Sequence, residues 1–308
     1  MKVLCFSDLH IQARTSPWFL RRLRKKIEQL VPDLILFSGD VLTYAQPSPP
    51  DMVRTFFDGL TAPLGVFACY GNHDYAEYST IDSSGKPVAG GSSAHPLVQG
   101  FRRLFGVRSG KARLVRDPLP INENLAKLYR ECGVNVLHNE TVRIGRGAHR
   151  INLAGLGDIT AGHLYPEKAF HDWDIRLPGI VFGHSPDSYG FLRSFPGDIF
   201  VFGHTHGGQV NLPFIRDLIT PVLDKSLKSG LYKRDGRRVL VTRGVGATFP
   251  FRLFAPPQIV LLELVRAGAI KSEAFSSSTL ESASASMSFA ASRAIVNEKC
   301  SEIREEIV

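Results

Sequence analysis

The chain has 308 residues, 44% hydrophobic and 21% charged, ordinary proportions for a globular protein and enough for one large α/β domain or two small ones. No apolar run approaches the roughly 20 residues that span a bilayer, and Met1-Lys2 runs straight into an apolar strand, so neither a membrane helix nor a signal peptide is expected. The net charge of +8 and the isoelectric point near 9.4 suit anionic partners such as phosphate esters, nucleic acid or acidic lipid, without choosing among them. Cys5, Cys69, Cys132 and Cys300 are scattered with no CxxC spacing, so they read as reduced thiols and favour the cytoplasm.

Lys2 to Phe6 reads as a first strand, ending in Ser7-Asp8-Leu9-His10. Pro17 then opens a helix through about Leu30, with Leu20, Leu23, Ile27 and Leu30 at helical spacing. Arg21, Arg22, Arg24, Lys25 and Lys26 fill much of its other face, which is either solvated or suited to a membrane surface. Asp33 to Phe37 is the next strand and stops at Ser38-Gly39-Asp40; a helix follows over Met52 to Leu60. Leu64 to Tyr70 is a third strand, ending in Gly71-Asn72-His73-Asp74.

From about 75 to 120 the pattern breaks into a Gly/Ser-rich loop followed by a basic piece with interleaved apolar residues, an insertion long enough to serve as a substrate cap. Order resumes with a helix near Asn122 to Cys132 and short strands at Val134–Leu137, Thr141–Ile144 and Ile151–Leu156. Ile180 to Phe182 ends in Gly183-His184, and after one helix Asp198 to Phe202 ends in Gly203-His204-Thr205-His206-Gly207-Gly208. Two further strands, Arg238–Thr242 and Gln258–Leu264, flank the apolar run Phe249 to Phe254. Residues 1–265 therefore form the expected domain, and 266–308 a Ser/Ala/Glu-rich tail, loosely ordered or ending in a helix.

Five strand-like runs thus end in Asp8/His10, Asp40, Asn72/His73, His184 and His204/His206. In layered α/β folds, sites lie beyond the carboxyl ends of strands, where separate loops converge. The collected donors exceed the needs of one tetrahedral zinc, and their oxygen–nitrogen mix suits Mn, Fe or Zn better than Ca. Two divalent metal ions sharing a carboxylate would absorb the set.

Asp8-x-His10, Gly39-Asp40, Gly71-Asn72-His73-Asp74, Gly183-His184 and Gly203-His204-Thr205-His206 resemble the five motifs of the calcineurin-like metallophosphoesterases, over about residues 2–210. The resemblance implies a two-sheet sandwich flanked by helices, with a dinuclear site at one edge. It implies that Asp8, His10, Asp40 and His206 hold one ion and Asp40, Asn72, His184 and His204 the other, manganese first and iron or zinc as alternatives. Two cations would make a shared water acidic enough to attack phosphorus at neutral pH. His73 would then protonate the leaving group, with Asp74 either orienting its imidazole or capping its own loop. His95, His138, His149, His163 and His171 lie outside the motifs, and Asp158 ends a further strand-like run with no ligand role.

The Arg243-Gly244-Val245-Gly246 turn further resembles the bacterial, membrane-associated phosphodiesterases of the family. That subgroup implies a nucleotide-lipid substrate, UDP-2,3-diacylglucosamine of lipid A synthesis. Its members often carry an N-terminal hydrophobic anchor, whereas this sequence starts at the first strand, so a peripheral enzyme at the cytoplasmic face of the inner membrane is expected. Arg102, Arg103, Arg113, Arg116 and Arg252 are the cations expected to bind substrate. A general phosphodiesterase or nuclease would share every motif. A non-catalytic scaffold of the same fold would have lost ligands, and none is missing here.

Overall fold

The computed structural model describes residues 1–43, 50–82, 85–90, 113–209, 222–248, 252–265, 290–297 and 305–307. The architecture follows from an alternation along the first strand, β1 (Lys2–Phe6). Val3 and Cys5 face a core shared with the second sheet, while Leu4 and Phe6 face a core covered by helices. A strand buried on both faces belongs in the middle of a sandwich.

Beside β1 lie β2 (Leu34–Phe37) and β3 (Val66–Ala68), successively parallel, then the two-residue β7 (Asn135–Val136). On the other side β14 (Gln258–Val265) runs antiparallel to β1, pairing Cys5 with Val260. The second sheet holds β8 (Glu140–Ile144), β9 (Ile151–Gly155), β10 (Gly179–Phe182), β11 (Ile199–Phe202), β12 (Gly230–Arg234) and β13 (Arg237–Val241) in the order β12-β13-β11-β10-β9-β8. Its inward Leu153, Ile180, Phe182 and Val201 meet Val3, Cys5, Leu34 and Leu36 of the first sheet.

Helices α1 (Pro17–Gln29), α2 (Pro50–Phe57) and α3 (Glu123–Glu131) cover the outer face of the first sheet. α1 buries Leu20, Leu23 and Ile27; α3 is capped by Asn122, whose side chain accepts from Leu125 N. α2 stops three residues short of the expected Leu60, because Gly59 takes φ +67° and turns the chain out of the helix. The segment expected as a helix between β10 and β11 is a 3₁₀ stretch, Pro186–Leu192, with Pro186 at its start. α4 (Pro166–Ala169) is a single turn.

Two departures concern topology. Part of the expected loop at 75–120 is a small antiparallel sheet: β4 (Ser79–Ile81), β5 (Pro87–Ala89) and β6 (Arg113–Leu114). Strands of two or three residues carry too little alternation to register in sequence. In the tail, expected to be loosely ordered or to end in a helix, the described residues form two strands: β15 (Ala290–Asn297) runs parallel to β14 and β16 (Glu305–Ile307) antiparallel to β15. The long edge of β14 offers unpaired backbone groups that a neighbouring chain segment satisfies. The strand expected at Arg238–Thr242 is β13, and β12 pairs with it in a hairpin whose Asp235-Gly236 turn, with φ of +50° and +76°, is a strong two-residue hairpin signal.

Candidate metal centre

Every parallel strand that carries a motif ends at the same edge of the sandwich, so the five loops meet there. The loops after β1, β2 and β3 supply Asp8/His10, Asp40 and Asn72/His73; those after β10 and β11 supply His184 and His204/His206. Their packing leaves no room for side chains where the motifs have glycine. A Cβ on Gly39, which takes φ +79°, would stand 2.5 Å from Gly71 N, and one on Gly244 (φ +64°) would stand 2.6 Å from Asp8 Cβ. The Arg243-Gly244 turn therefore belongs to the site, pressed against the loop of Asp8.

Three groups of donors gather. Asp8, His10 and His206 form one; Asp40, His184 and His204 a second; His10, Asp40 and His73 a third, with Asp40 common to two of them. His206 Nε2 lies 3.0 Å from His10 Nε2 and 3.5 Å from Asp8 Oδ1. His184 Nε2 lies 3.1 Å from Asp40 Oδ2, 3.0 Å from Asn72 Oδ1 and 3.1 Å from His204 Nδ1. His10 Nδ1 donates to the Leu42 carbonyl (3.1 Å) and His184 Nδ1 to the Ser38 carbonyl (2.7 Å). Each Nε2 is thereby left to face the centre, the arrangement that prepares imidazole for a metal.

The electrostatics agree. Burial drives His10 down to about 3 and His206 well below the ordinary imidazole range, so both rings are neutral, the ligating form, at neutral pH. Burial alone would push the Asp40 carboxyl up and the His184 ring down. Their contact reverses both, holding Asp40 well below the usual carboxylate range and His184 up at about 10, so the pair holds a positive charge at the centre whose place a bound cation would take. Asp8 Oδ1 is buried with no hydrogen-bond partner while Oδ2 takes the Ser7 hydroxyl and His204 N. An orphaned carboxylate oxygen beside two ring nitrogens fits a cation.

A signal that sequence reading did not reach is backbone strain. Asp8, His10, Asp40, His204 and His206 have φ of +57°, +46°, +61°, +68° and +52°. Non-glycine residues rarely adopt this region and persist there where surrounding structure over-determines them, often at functional sites.

The calcineurin-like phosphoesterase profile matches residues 1–208. The chain belongs to that family. As a calcineurin-like phosphoesterase it is a phosphoric ester hydrolase with a dinuclear divalent metal site. It is 34% identical to the UDP-2,3-diacylglucosamine pyrophosphatase LpxG of Chlamydia trachomatis over 275 residues, 85% of this chain and 83% of the relative. The LpxG of Chlamydia muridarum is 32% identical, with the same shares covered. The phosphodiesterase YaeI of Escherichia coli is 32% identical over 86% of this chain and 82% of the relative.

The remaining site residues of this phosphoesterase divide. His73 stands at the rim, its Nδ1 donating to the Thr43 carbonyl (2.5 Å) and its Nε2 4.0 Å from Asp40 Oδ2. Asp74 takes the loop-capping role of its two readings. Its carboxylate accepts from Asp40 N (2.7 Å), Val41 N (3.0 Å), Leu42 N (3.2 Å) and Gly71 N (3.0 Å), stitching the β2 and β3 loops together. It is the Thr43 carbonyl, not Asp74, that orients the His73 ring.

Of the cations expected on substrate, Arg102 and Arg103 lie outside the described residues. Arg113 is exposed and paired with Glu77 at 3.0 Å, and Arg116 is exposed. Arg252 is turned inward, among backbone carbonyls. Its Nε donates to Gly246 O (2.8 Å), its Nη1 to Arg243 O (2.9 Å) and Ala255 O (3.1 Å), and its Nη2 lies 3.0 Å from His206 Nδ1. An isolated guanidinium charge is expensive to bury, and these carbonyls, with the Asp8 carboxylate nearby, compensate it. Sequence spacing carries no sign of this, since Arg252 reaches His206 across 46 residues of chain.

Proposed function

We propose that this chain hydrolyses the pyrophosphate bond of UDP-2,3-diacylglucosamine, releasing UMP and 2,3-diacylglucosamine 1-phosphate. The observation that carries the reading is the 34% identity to the chlamydial pyrophosphatase over most of both chains. Two divalent ions, manganese before iron or zinc, supply Lewis acidity toward the phosphoryl oxygens and a water acidic enough to attack at neutral pH. Asp8, His10, Asp40 and His206 hold one; Asp40, Asn72, His184 and His204 hold the other. His73, whose Nδ1–H is committed to the Thr43 carbonyl, presents as the imidazolium its second proton, on Nε2, to the leaving oxygen.

A lipid-borne substrate accounts for apolar surface at the site end. β14 runs antiparallel to β1, so residues 252–257 precede it at the same edge as Asp8. Phe254 there is 68% exposed, and Trp18, at the start of α1 on that edge, is 61% exposed beside Arg21, Arg22 and Lys25. No helix among the described residues is long and apolar enough to cross a membrane. The reading is of an enzyme that docks on the inner-membrane surface.

The test is hydrolysis of UDP-2,3-diacylglucosamine in mixed micelles with each ion, beside bis-p-nitrophenyl phosphate and single-stranded DNA. UMP and acylated sugar phosphate as the fastest-formed products support the reading. Faster turnover of the soluble diester favours a general phosphodiesterase, the reading that the likeness to YaeI supports, and preferred cleavage of DNA a nuclease.

A further inference from the structure

Asn72 poses a problem that the histidines do not. An amide offers one face that accepts and one that donates, and only the oxygen ligates a cation. Something must hold the nitrogen away from the centre. Here Nδ2 donates to the Ser79 carbonyl at 2.6 Å, and Ser79 N donates back to the Asn72 carbonyl at 3.2 Å. Oδ1 is thereby left facing His184 Nε2 at 3.0 Å.

Ser79 opens β4, the strand through which the insertion enters the fold, and its own side chain is anchored in turn. Its hydroxyl lies 3.0 Å from Thr160 Oγ1, which is 2.5 Å from Asp158 Oδ1. The direction of this chain is decided by chemistry. Asp158 Oδ1 already accepts from Thr160 N (2.8 Å) and Ala161 N (3.1 Å), so Thr160 donates its single hydroxyl proton to it. Thr160 Oγ1 must then accept from Ser79. Asn72 and Asp158 are 1% exposed, and Ser79 and Thr160 fully buried, so water does not compete for these bonds.

We propose that Thr160 is a positioning residue for Asn72, acting through Ser79, and that it sets the affinity of the ion that Asn72 holds. This rests on the reading of Asn72 as a ligand. None of Ser79, Asp158 and Thr160 belongs to the five motifs. They lie on two different parts of the fold: Asp158 and Thr160 follow β9 in the second sheet, while Asn72 follows β3 in the first. The chain of bonds therefore joins both sheets and the insertion at a single ligand, whereas His10, Asp40 and His206 have no part in it.

The experiment is calorimetric titration of the metal-free full chain with Mn²⁺, with thermal unfolding of each variant alongside. The wild-type chain is expected to take two ions; uptake of only one would overturn the two-ion reading beneath the proposal, whatever the variants do. Thr160→Val keeps the shape and removes the hydroxyl. It is expected to weaken one ion by about tenfold, the lower end for loss of a ligand's hydrogen-bonded support, and leave the other unchanged. Ser79→Ala should act in the same way, the double variant should be no worse than either single one, and Thr160→Ser should restore binding. Wild-type affinity for both ions in Thr160→Val would overturn the proposal. So would equal weakening of both ions together with a lowered unfolding temperature that Thr160→Ser does not repair, the mark of a merely structural residue.

Discussion

At His73 two hydrogen-bonding demands meet. The Thr43 carbonyl fixes one nitrogen at 2.5 Å, and the other stands 4.0 Å from Asp40, near the ligands without joining either set proposed here. The ring packs edge-on to His10 and against Tyr78, with centroids 4.9 Å and 4.4 Å apart. A held ring at the rim is suited to proton transfer. His73→Ala is expected to lower kcat by roughly 10²–10⁴-fold with metal content unchanged. The loss should shrink along a series of aryl phosphodiesters as the leaving group improves, because a good leaving group needs little protonation. Uniform losses along that series would refute the assignment. Asp74, one residue on, braces the loops: four backbone N–H groups converge on it, that of Asp40 in its left-handed conformation among them.

Helix α1 shows how a basic face divides between support and surface. Arg24 donates from Nε to Glu28 (3.0 Å) and from Nη1 to the carbonyls of Thr55 (3.1 Å) and Phe56 (3.2 Å), tying α1 to α2. Arg21, Arg22 and Lys25 are exposed, with Arg22 5.3 Å above the Trp18 ring. An amphipathic indole flanked by exposed cations suits the headgroup region, where each cation is worth about 1 kcal/mol against anionic lipid. Reversing Arg21, Arg22 and Lys25 to Glu should weaken sedimentation with phosphatidylglycerol-containing vesicles by on the order of a hundredfold or more at low salt. Hydrolysis of bis-p-nitrophenyl phosphate should be unaffected. A parallel fall in both would make this face structural and remove the membrane argument; Arg24 is left intact so that α1 stays docked.

Across the whole molecule, the sandwich encloses two thiols. Cys5 and Cys69 lie in the core between the sheets, fully buried, and burial pushes both thiols far above their ordinary range. Cys132 is only half-buried, at the end of α3. At pH 8 a disulfide reagent should therefore label Cys132 within minutes, while Cys5 and Cys69 react only as fast as the sheets separate. In guanidinium all the cysteines should react together. Rapid labelling of Cys5 in the native protein would mean that the two sheets part locally, contrary to the packing described.

What the sequence determined by itself was whatever is periodic or local. The apolar run Val3 to Phe6, the helical spacing of Leu20, Leu23 and Ile27, and donors placed directly after strands follow from chain geometry, so the strands, the main helices and the convergence of five loops were legible, while the two-sheet sandwich was what the resemblance of the motifs implied. Only the tertiary structure decided the rest, because it depends on partners distant in sequence. The choice for Asp74 between ring and loop turns on Asp40 and its neighbours, more than 30 residues away. The inward turn of Arg252 depends on carbonyls of its own β13–β14 loop and on His206, 46 residues away. The strain at Asp8, His10, Asp40, His204 and His206 exists only once both sheets press their loops together. The amide of Asn72 is oriented by Ser79 across seven residues, and Ser79 by Thr160 across 81 more, a path no local pattern encodes because its hydrogen bonds form only between elements already packed.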